Sequence, residues 1–211
     1  GDNFNLQKML LARDKTFDAV NCIADKVTVG MAEVDARAMA MDVLRDMGMD
    51  RIWHPALVRF GANTLKKFNE ASEGNPILQA NDIFFVDLGV VWDGHEGDAG
   101  ATFVVGDDAD MRACSEACKV IYDEVEAHWR ETRCSGKALY EFAAKVADAH
   151  GWCLTVEIRG HRVSDFPHAI YRAGDLGDLD EVPEVGLWIL EIQIAHPSKA
   201  FGAFYEDLLV D

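Results

Sequence analysis

Two aspartates, Asp87 and Asp98, interrupt a pair of apolar, β-branched and aromatic runs on either side of Asp93-Gly94, a strong tight-turn signal. The pattern predicts strands over 83–91 and 99–105. With Asp93 and Gly94 as a two-residue loop, Val91 is expected opposite His95 and Asp87 opposite Gly100. Asp98 then lies two residues from the position facing Asp87, on the same face, as a diagonal neighbour roughly 7–8 Å away at the backbone. Two carboxylates leaning together across that gap repel unless a positive charge lies between them. A metal ion, or a pair of them, suits the place. The hairpin alone equally allows two solvent-facing aspartates, so the rest of the chain must decide.

More carboxylates stand in apolar surroundings nearer the C-terminus. Glu191 sits inside Trp188-Ile-Leu-Glu-Ile-Gln-Ile, Glu206 inside Phe204-Tyr-Glu-Asp-Leu-Leu-Val, and His161 follows Gly160. A carboxylate buried in an apolar strand without a partner is costly, so each needs a cation, a hydrogen-bond network or neutralisation. Asp87, Asp98, Glu191, Glu206 and His161 together offer four carboxylates and one imidazole, a donor set that suits Mn, Co, Fe or Zn. Four carboxylates overcharge a single ion but balance two ions about 3.5–4 Å apart, the arrangement of two-metal hydrolases.

The elements that must position these groups are read from periodicity. Apolar spacing predicts helices over 6–27 and 32–47, the second stopped by Gly48. A strand follows Pro55 and ends near Gly61, and 66–79 is polar and loop-like. Met111, Cys114, Cys118, Ile121, Val125 and Trp129 step by three and four, marking a helix over 110–132. Ser135 is placed to cap a further helix over 136–150. Strands are expected at 154–158, 188–194 and 203–210, with 159–179 irregular. Helix, helix, strand, hairpin is thus a pattern used twice, which suggests two similar halves facing each other.

Composition bounds the alternatives. In 211 residues the net charge is −17 and apolar residues make up 49%, enough for a core and adverse to nucleic acid or an anionic membrane as partner. No run of 18 apolar residues is present, and Gly1-Asp2-Asn3-Phe4 lacks the basic-then-apolar pattern of a leader. The five cysteines, Cys22, Cys114, Cys118, Cys134 and Cys153, show no zinc spacing. An odd count fits a reducing cytoplasm, and each is expected as a small buried hydrophobe. His95 and Glu96 read as solvated turn residues, and His128 and His150 as helix-surface residues. His196 follows a ligand-bearing strand. Arg162 suits either a substrate carboxylate or Asp165.

The ordered set Asp87, Asp98, Gly160-His161, His168, Glu191 and Glu206-Asp207 resembles the pita-bread (M24-type) metallopeptidases: methionine aminopeptidases, Xaa-Pro aminopeptidases, prolidases and creatinases. Order and spacing agree over roughly residues 10–211. The resemblance implies an α+β pita-bread fold, two pseudo-symmetric halves with a curved, mostly antiparallel sheet backed by helices. It is expected as a single domain over 1–211, without the N-terminal creatinase-type domain. The five acidic and imidazole side chains would hold two divalent ions bridged by a water or hydroxide. His168 would bind near the substrate's peptide and help stabilise the tetrahedral intermediate. Residues 58–63 and Glu206-Asp207 lean towards the Xaa-Pro aminopeptidase and prolidase branch.

The chain departs from the family where substrate is met. Gly100 and Ala101 replace a threonine and, in the Xaa-Pro branch, an arginine. Arg162 follows the first histidine where the family has a glycine or tryptophan, and Ala169 replaces an acidic residue. Glu191-Ile192-Gln193 replaces glutamate-proline-glycine. The family's histidine that assists the leaving amine has no counterpart between Phe68 and Asn81. His54, beside Trp53 and Pro55, is the nearby candidate for substrate binding, and a strand-edge position is its other reading. The leading function is a two-metal peptidase acting on short peptides with a free N-terminus. The alternatives are a non-catalytic pita-bread module that binds peptides or proteins, and a creatinase-like C–N hydrolase on a small molecule. The partner expected is a small peptide, and a homodimer is compatible with the chain.

Overall fold

The structure, a computed structural model, describes residues 1–167 and 174–211. Helix α1 (Leu6–Lys26) begins where the Asn5 side chain accepts a hydrogen bond from the Lys8 amide at 3.1 Å, the usual N-cap device. Its buried residues, Met9, Ala12, Thr16, Ala19, Val20 and Ile23, form one stripe at helical spacing. Helix α2 (Glu33–Asp46) follows, then the short strands β1 (Arg51–Ile52) and β2 (Leu57–Phe60). The central hairpin is β3 (Asp82–Trp92) and β4 (His95–Val105). Helix α3 (Ala109–Thr132) is capped by Asp108, and α4 (Gly136–Ala149) by Ser135, whose hydroxyl accepts from the Ala138 amide at 3.2 Å. The two-residue strands β5 (Cys153–Leu154) and β6 (His161–Arg162) precede the second pair, β7 (Trp188–Ala195) and β8 (Gly202–Leu208).

All described strand pairings are antiparallel, in the order β1-β3-β4-β8-β7-β5, with β2 also on β3 and β6 also on β7. Asp93 and Gly94 have φ of 48° and 73°, the two positive values that a type I′ hairpin turn requires. Asp87 faces Gly100 as expected, and Asp98 lies opposite Gly89. The expected pairing of Val91 with His95 is corrected: Trp92 faces His95 and Val91 faces Glu96. In a two-residue loop the flanking residues pair with each other, so Val91 falls one step further on.

Strand alternation sorts the sheet into two faces. Phe84, Val86, Leu88, Val90 and Trp92 join a core with α1 and α2, while Trp188, Leu190, Ile192 and Ile194 join a core with α3 and α4. The intervening positions, Asp87, Glu191 and their neighbours, lie on the face away from the helices. The halves therefore repeat one plan, two helices on one side of two long strands.

Three other expectations are corrected. The strand at 154–158 shrinks to Cys153–Leu154, because the Thr155 amide bonds Gln193 O and the chain then turns, with Ile158 N bonding Thr155 O. His95 and Glu96 are buried, not solvated: the Asn5 amide donates to His95 Nε2 and the Ser164 amide to Glu96 Oε2, both at 3.0 Å. Cys114 and Cys118 are buried as expected, and burial pushes the Cys114 thiol up to about 12; Cys22 and Cys134 are only partly covered and Cys153 is exposed. Among the described residues, no helix is long and apolar enough to cross a membrane.

Candidate metal centre

Sheet register alone gathers the carboxylates. Asp87 faces Gly100 across β3–β4, Gly100 faces Glu206 across β4–β8, and Glu206 faces Glu191 across β8–β7. Directly opposed residues project to the same face, and neighbouring strands lie about 4.8 Å apart. Asp87, Glu206 and Glu191 thus form one row across four strands. Asp98, two positions before Gly100, joins that face, as does His161, opposite Ile189 and so diagonal to Glu191. Gly100 keeps the middle of the row bare. A Cβ there would lie 2.6 Å from the Phe204 ring and 3.0 Å from Glu206 Oε1.

The five expected ligands converge, and His54 joins them. His161 Nε2 is 2.8 Å from Asp98 Oδ2 and 4.0 Å from Glu191 Oε1. His54 Nε2 is 3.1 Å from Asp98 Oδ1 and 3.5 Å from Asp87 Oδ1. Two overlapping groups have ligand atoms within 4.8 Å of one another: His54, Asp87 and Asp98, and Asp98, His161 and Glu206. Glu191 is steadied from outside, its Oε2 accepting from the Gly160 amide at 2.8 Å. His168 lies outside the described residues.

Electrostatics follow from crowding acids in a dry place. Burial raises the Asp87 carboxyl to about 6, opposed by His54 and reinforced by Asp98 and Glu191. Burial likewise raises Glu191, and raises Glu206 well above the ordinary range with the charges of Asp98, Asp87 and Glu191 adding to it. Asp98 goes the other way: burial would raise it, but His54 and His161 together hold it low. Burial opposes charging of the imidazoles, yet the facing carboxylates hold His54 up at about 9 and His161 at about 10. Asp98 Oδ2 and Glu206 Oε1 are buried without a hydrogen bond of acceptable geometry. Buried carboxylate oxygens crowded together in this way fit a cation, and the oxygen-rich, imidazole-containing donor set fits a borderline divalent ion.

Above the carboxylates lies a cavity of about 280 Å³ whose apolar wall is Trp53, Phe68 and Ile158. The Trp53 ring packs edge-on against His54 at 4.5 Å and His161 at 5.4 Å. Phe68 meets His54 edge-on at 5.2 Å. Its loop is tied down by buried Arg59, which donates to the carbonyls of Lys66, Lys67 and Glu70 at 2.6, 2.8 and 2.6 Å. Sequence reasoning passed over Arg59, although an arginine inside the apolar run Leu57-Val58-Arg59-Phe60 is itself a signal of a specific buried partner. Other singled-out residues lie elsewhere. His196 Nδ1 accepts from the Ser198 and Lys199 amides, His150 faces Glu124, and Asp165 is bonded to Ser164 Oγ and the Asn3 amide.

Known proteins share this fold. Residues 7–210 match the model of metallopeptidase family M24. The prolidase from Pyrococcus horikoshii OT3 superimposes with a TM-score of 0.76 at 18% identity, over 97% of this chain and 58% of its own. The X-Pro aminopeptidase from Thermotoga maritima MSB8 gives 0.74 at 17% identity, over 95% of this chain and 56% of its own. The methionine aminopeptidase from Thermotoga maritima gives 0.72 at 13% identity, over 97% of this chain and 92% of its own. No curated protein sequence matches the chain. The chain belongs to metallopeptidase family M24 and has the pita-bread fold, and it spans a little over half the length of the prolidase and X-Pro aminopeptidase.

Proposed function

We propose that this chain is a dinuclear-metal-dependent peptidase that cleaves the N-terminal peptide bond of short peptides, in the manner of an Xaa-Pro aminopeptidase or prolidase, with residues 1–211 acting as one domain in the cytoplasm. The observation that carries this reading is the row Asp87–Glu206–Glu191 with Asp98 and His161 beside it, drawn from both halves onto one face. These five side chains would hold the two ions, drawn from Mn, Co, Fe or Zn. When bound, the ions supply Lewis acidity and an activated water. The protein's own part is positional. Trp53, Phe68 and Ile158 exclude water and offer an apolar wall to a substrate side chain, and His168 would steady the peptide being cut. Family membership and the prolidase, dipeptidase and X-Pro aminopeptidase neighbours support the peptide substrate.

One observation favours a second reading, a non-catalytic peptide-binding module. Gly100 departs from the threonine that the resemblance implies at this position, and the Phe204 ring crowds that space. A panel of dipeptides and tripeptides, each tested with Mn, Co, Fe and Zn, separates the two. Release of the first residue from Xaa-Pro peptides supports the peptidase. Peptide binding without cleavage, with both ions in place, supports the module.

A further inference from the structure

His54 offers a nitrogen to the ions that the five-residue set does not include. We propose that His54 is a sixth metal ligand, so that each of the two cation positions has one imidazole and one oxygen of Asp98. This inference rests on the two-ion reading above.

The arrangement around Asp98 is two-sided. His54 Nε2 approaches Oδ1 at 3.1 Å, and His161 Nε2 approaches Oδ2 at 2.8 Å. Each ring is oriented from behind by a backbone carbonyl: His54 Nδ1 is 2.9 Å from Pro55 O, and His161 Nδ1 is 3.3 Å from Arg162 O. With the Nδ1 N–H donated to a carbonyl, an ion that displaces the Nε2 proton meets the Nε2 lone pair aimed at the carboxylates, the way metal-bound histidines are commonly held. This tautomer is assigned from the hydrogen-bond partners.

The distances agree with a shared ion. Two ligands bonded to one ion at about 2.1 Å, with angles near 90–109°, have their donor atoms about 3.0–3.4 Å apart. His54 Nε2 stands 3.1 Å from Asp98 and 3.5 Å from Asp87. His54, Asp87 and Asp98 therefore form one position, and Asp98, His161 and Glu206 the other, with Glu191 beside His161.

The chain builds this placement locally. Gly89 lies beneath the ring: a Cβ there would come 1.9 Å from His54 Cδ2, so the bare strand makes room. Pro55 supplies the orienting carbonyl. Trp53 and Phe68 close over the ring, leaving the side chain 9% exposed. A second imidazole shifts preference from Mn towards Co and Zn, which take nitrogen more readily.

The test uses the intact chain loaded with zinc, read by X-ray absorption at the zinc edge and by zinc analysis. The expected result is two zinc ions per chain with an average of one imidazole each. In His54→Ala, one ion is lost at limiting zinc and its affinity falls at least about tenfold; with both positions filled at saturating zinc, the average falls to half an imidazole per ion. Two ions sharing a single imidazole in the intact chain overturn the proposal while leaving the two-ion reading in place. So does a folded His54→Ala that keeps both ions with unchanged affinity, a rise in KM alone then returning His54 to the substrate wall. An intact chain that takes up no zinc overturns both. Because the absorption measurement needs no substitution, a variant that fails to fold does not decide the matter.

Discussion

The N-terminal half carries Asp87 and Asp98 on one hairpin with a two-residue loop, whereas the C-terminal half delivers Glu191 and Glu206 on a pair joined by residues 196–201, and His161 on the separate short strand β6. In the first case one I′ turn sets the register of eleven paired positions and, with it, the separation of the two aspartates. In the second, no two-residue turn fixes the register of β7 and β8, and His161 is placed by pairing across residues 163–187. The sheet is continuous between the halves where β4 meets β8. Gly100 opposite Glu206 is the backbone pair joining β4 to β8, and beside it the Thr102 hydroxyl donates to Phe204 O at 2.8 Å and accepts from Phe204 N at 2.7 Å. The lesson is that the candidate centre sits on the join, so anything that shifts one half against the other changes the spacing of its ligands.

The strongest way to break the comparison is to remove the group both halves share. Asp98 faces an imidazole from each half, and Asp98→Ala is expected to abolish stoichiometric binding of both ions, read by metal analysis after gel filtration. Loss of only one ion would show that the halves bind independently. A smaller effect is expected at the seam. Thr102→Val removes two hydrogen bonds and leaves the Phe204 amide and carbonyl without that partner, costing about 1–3 kcal/mol in denaturant unfolding. It should also weaken metal binding, although no ligand is touched.

Acidity sharpens the same picture. With chelator present, His54 and His161 keep their protons to about 9 and 10, above the ordinary imidazole value of 6.5. A raised folded-state pKa gives stability that is complete below about 6.5 and lost as pH rises through the folded values. The chelated protein should therefore melt at progressively lower temperature from pH 6.5 to about 10. Ions displace those protons, so binding strengthens with pH, and the melting temperatures with and without ions should move apart. Parallel curves in calorimetry would contradict this. The smallest effect is expected at the tip of the hairpin. Gly94→Ala, at φ 73°, should cost about 1 kcal/mol and leave metal stoichiometry unchanged.

The same contrast explains what could be read from the residues alone. The hairpin, its turn and the Asp87–Gly100 pairing are local and follow from strand alternation and Asp93-Gly94. Near the turn the pairing was misplaced by one position, and the second strand starts at His95, not at residue 99. The four helices were legible from three-and-four spacing and from caps such as Ser135. The burial of His95 and Glu96 was not, because their cover comes from Asn5 and Ser164, distant in sequence. Nor was the inward position of His54, which depends on Gly89 offering no side chain beneath it. Glu191 and Glu206 betrayed themselves as charges inside apolar strands. That they stand directly opposite each other depends on a register across residues 196–201 that no two-residue turn signal announces.

The most direct measurement is an equilibrium titration of the chelator-treated protein with Co²⁺, counting bound ions in the wild type and in Asp98→Ala and Glu206→Ala. The account predicts two ions per wild-type chain and loss of stoichiometric binding in each variant, since the two side chains come from different halves. A wild-type chain that binds none, or variants that keep both ions, would contradict it.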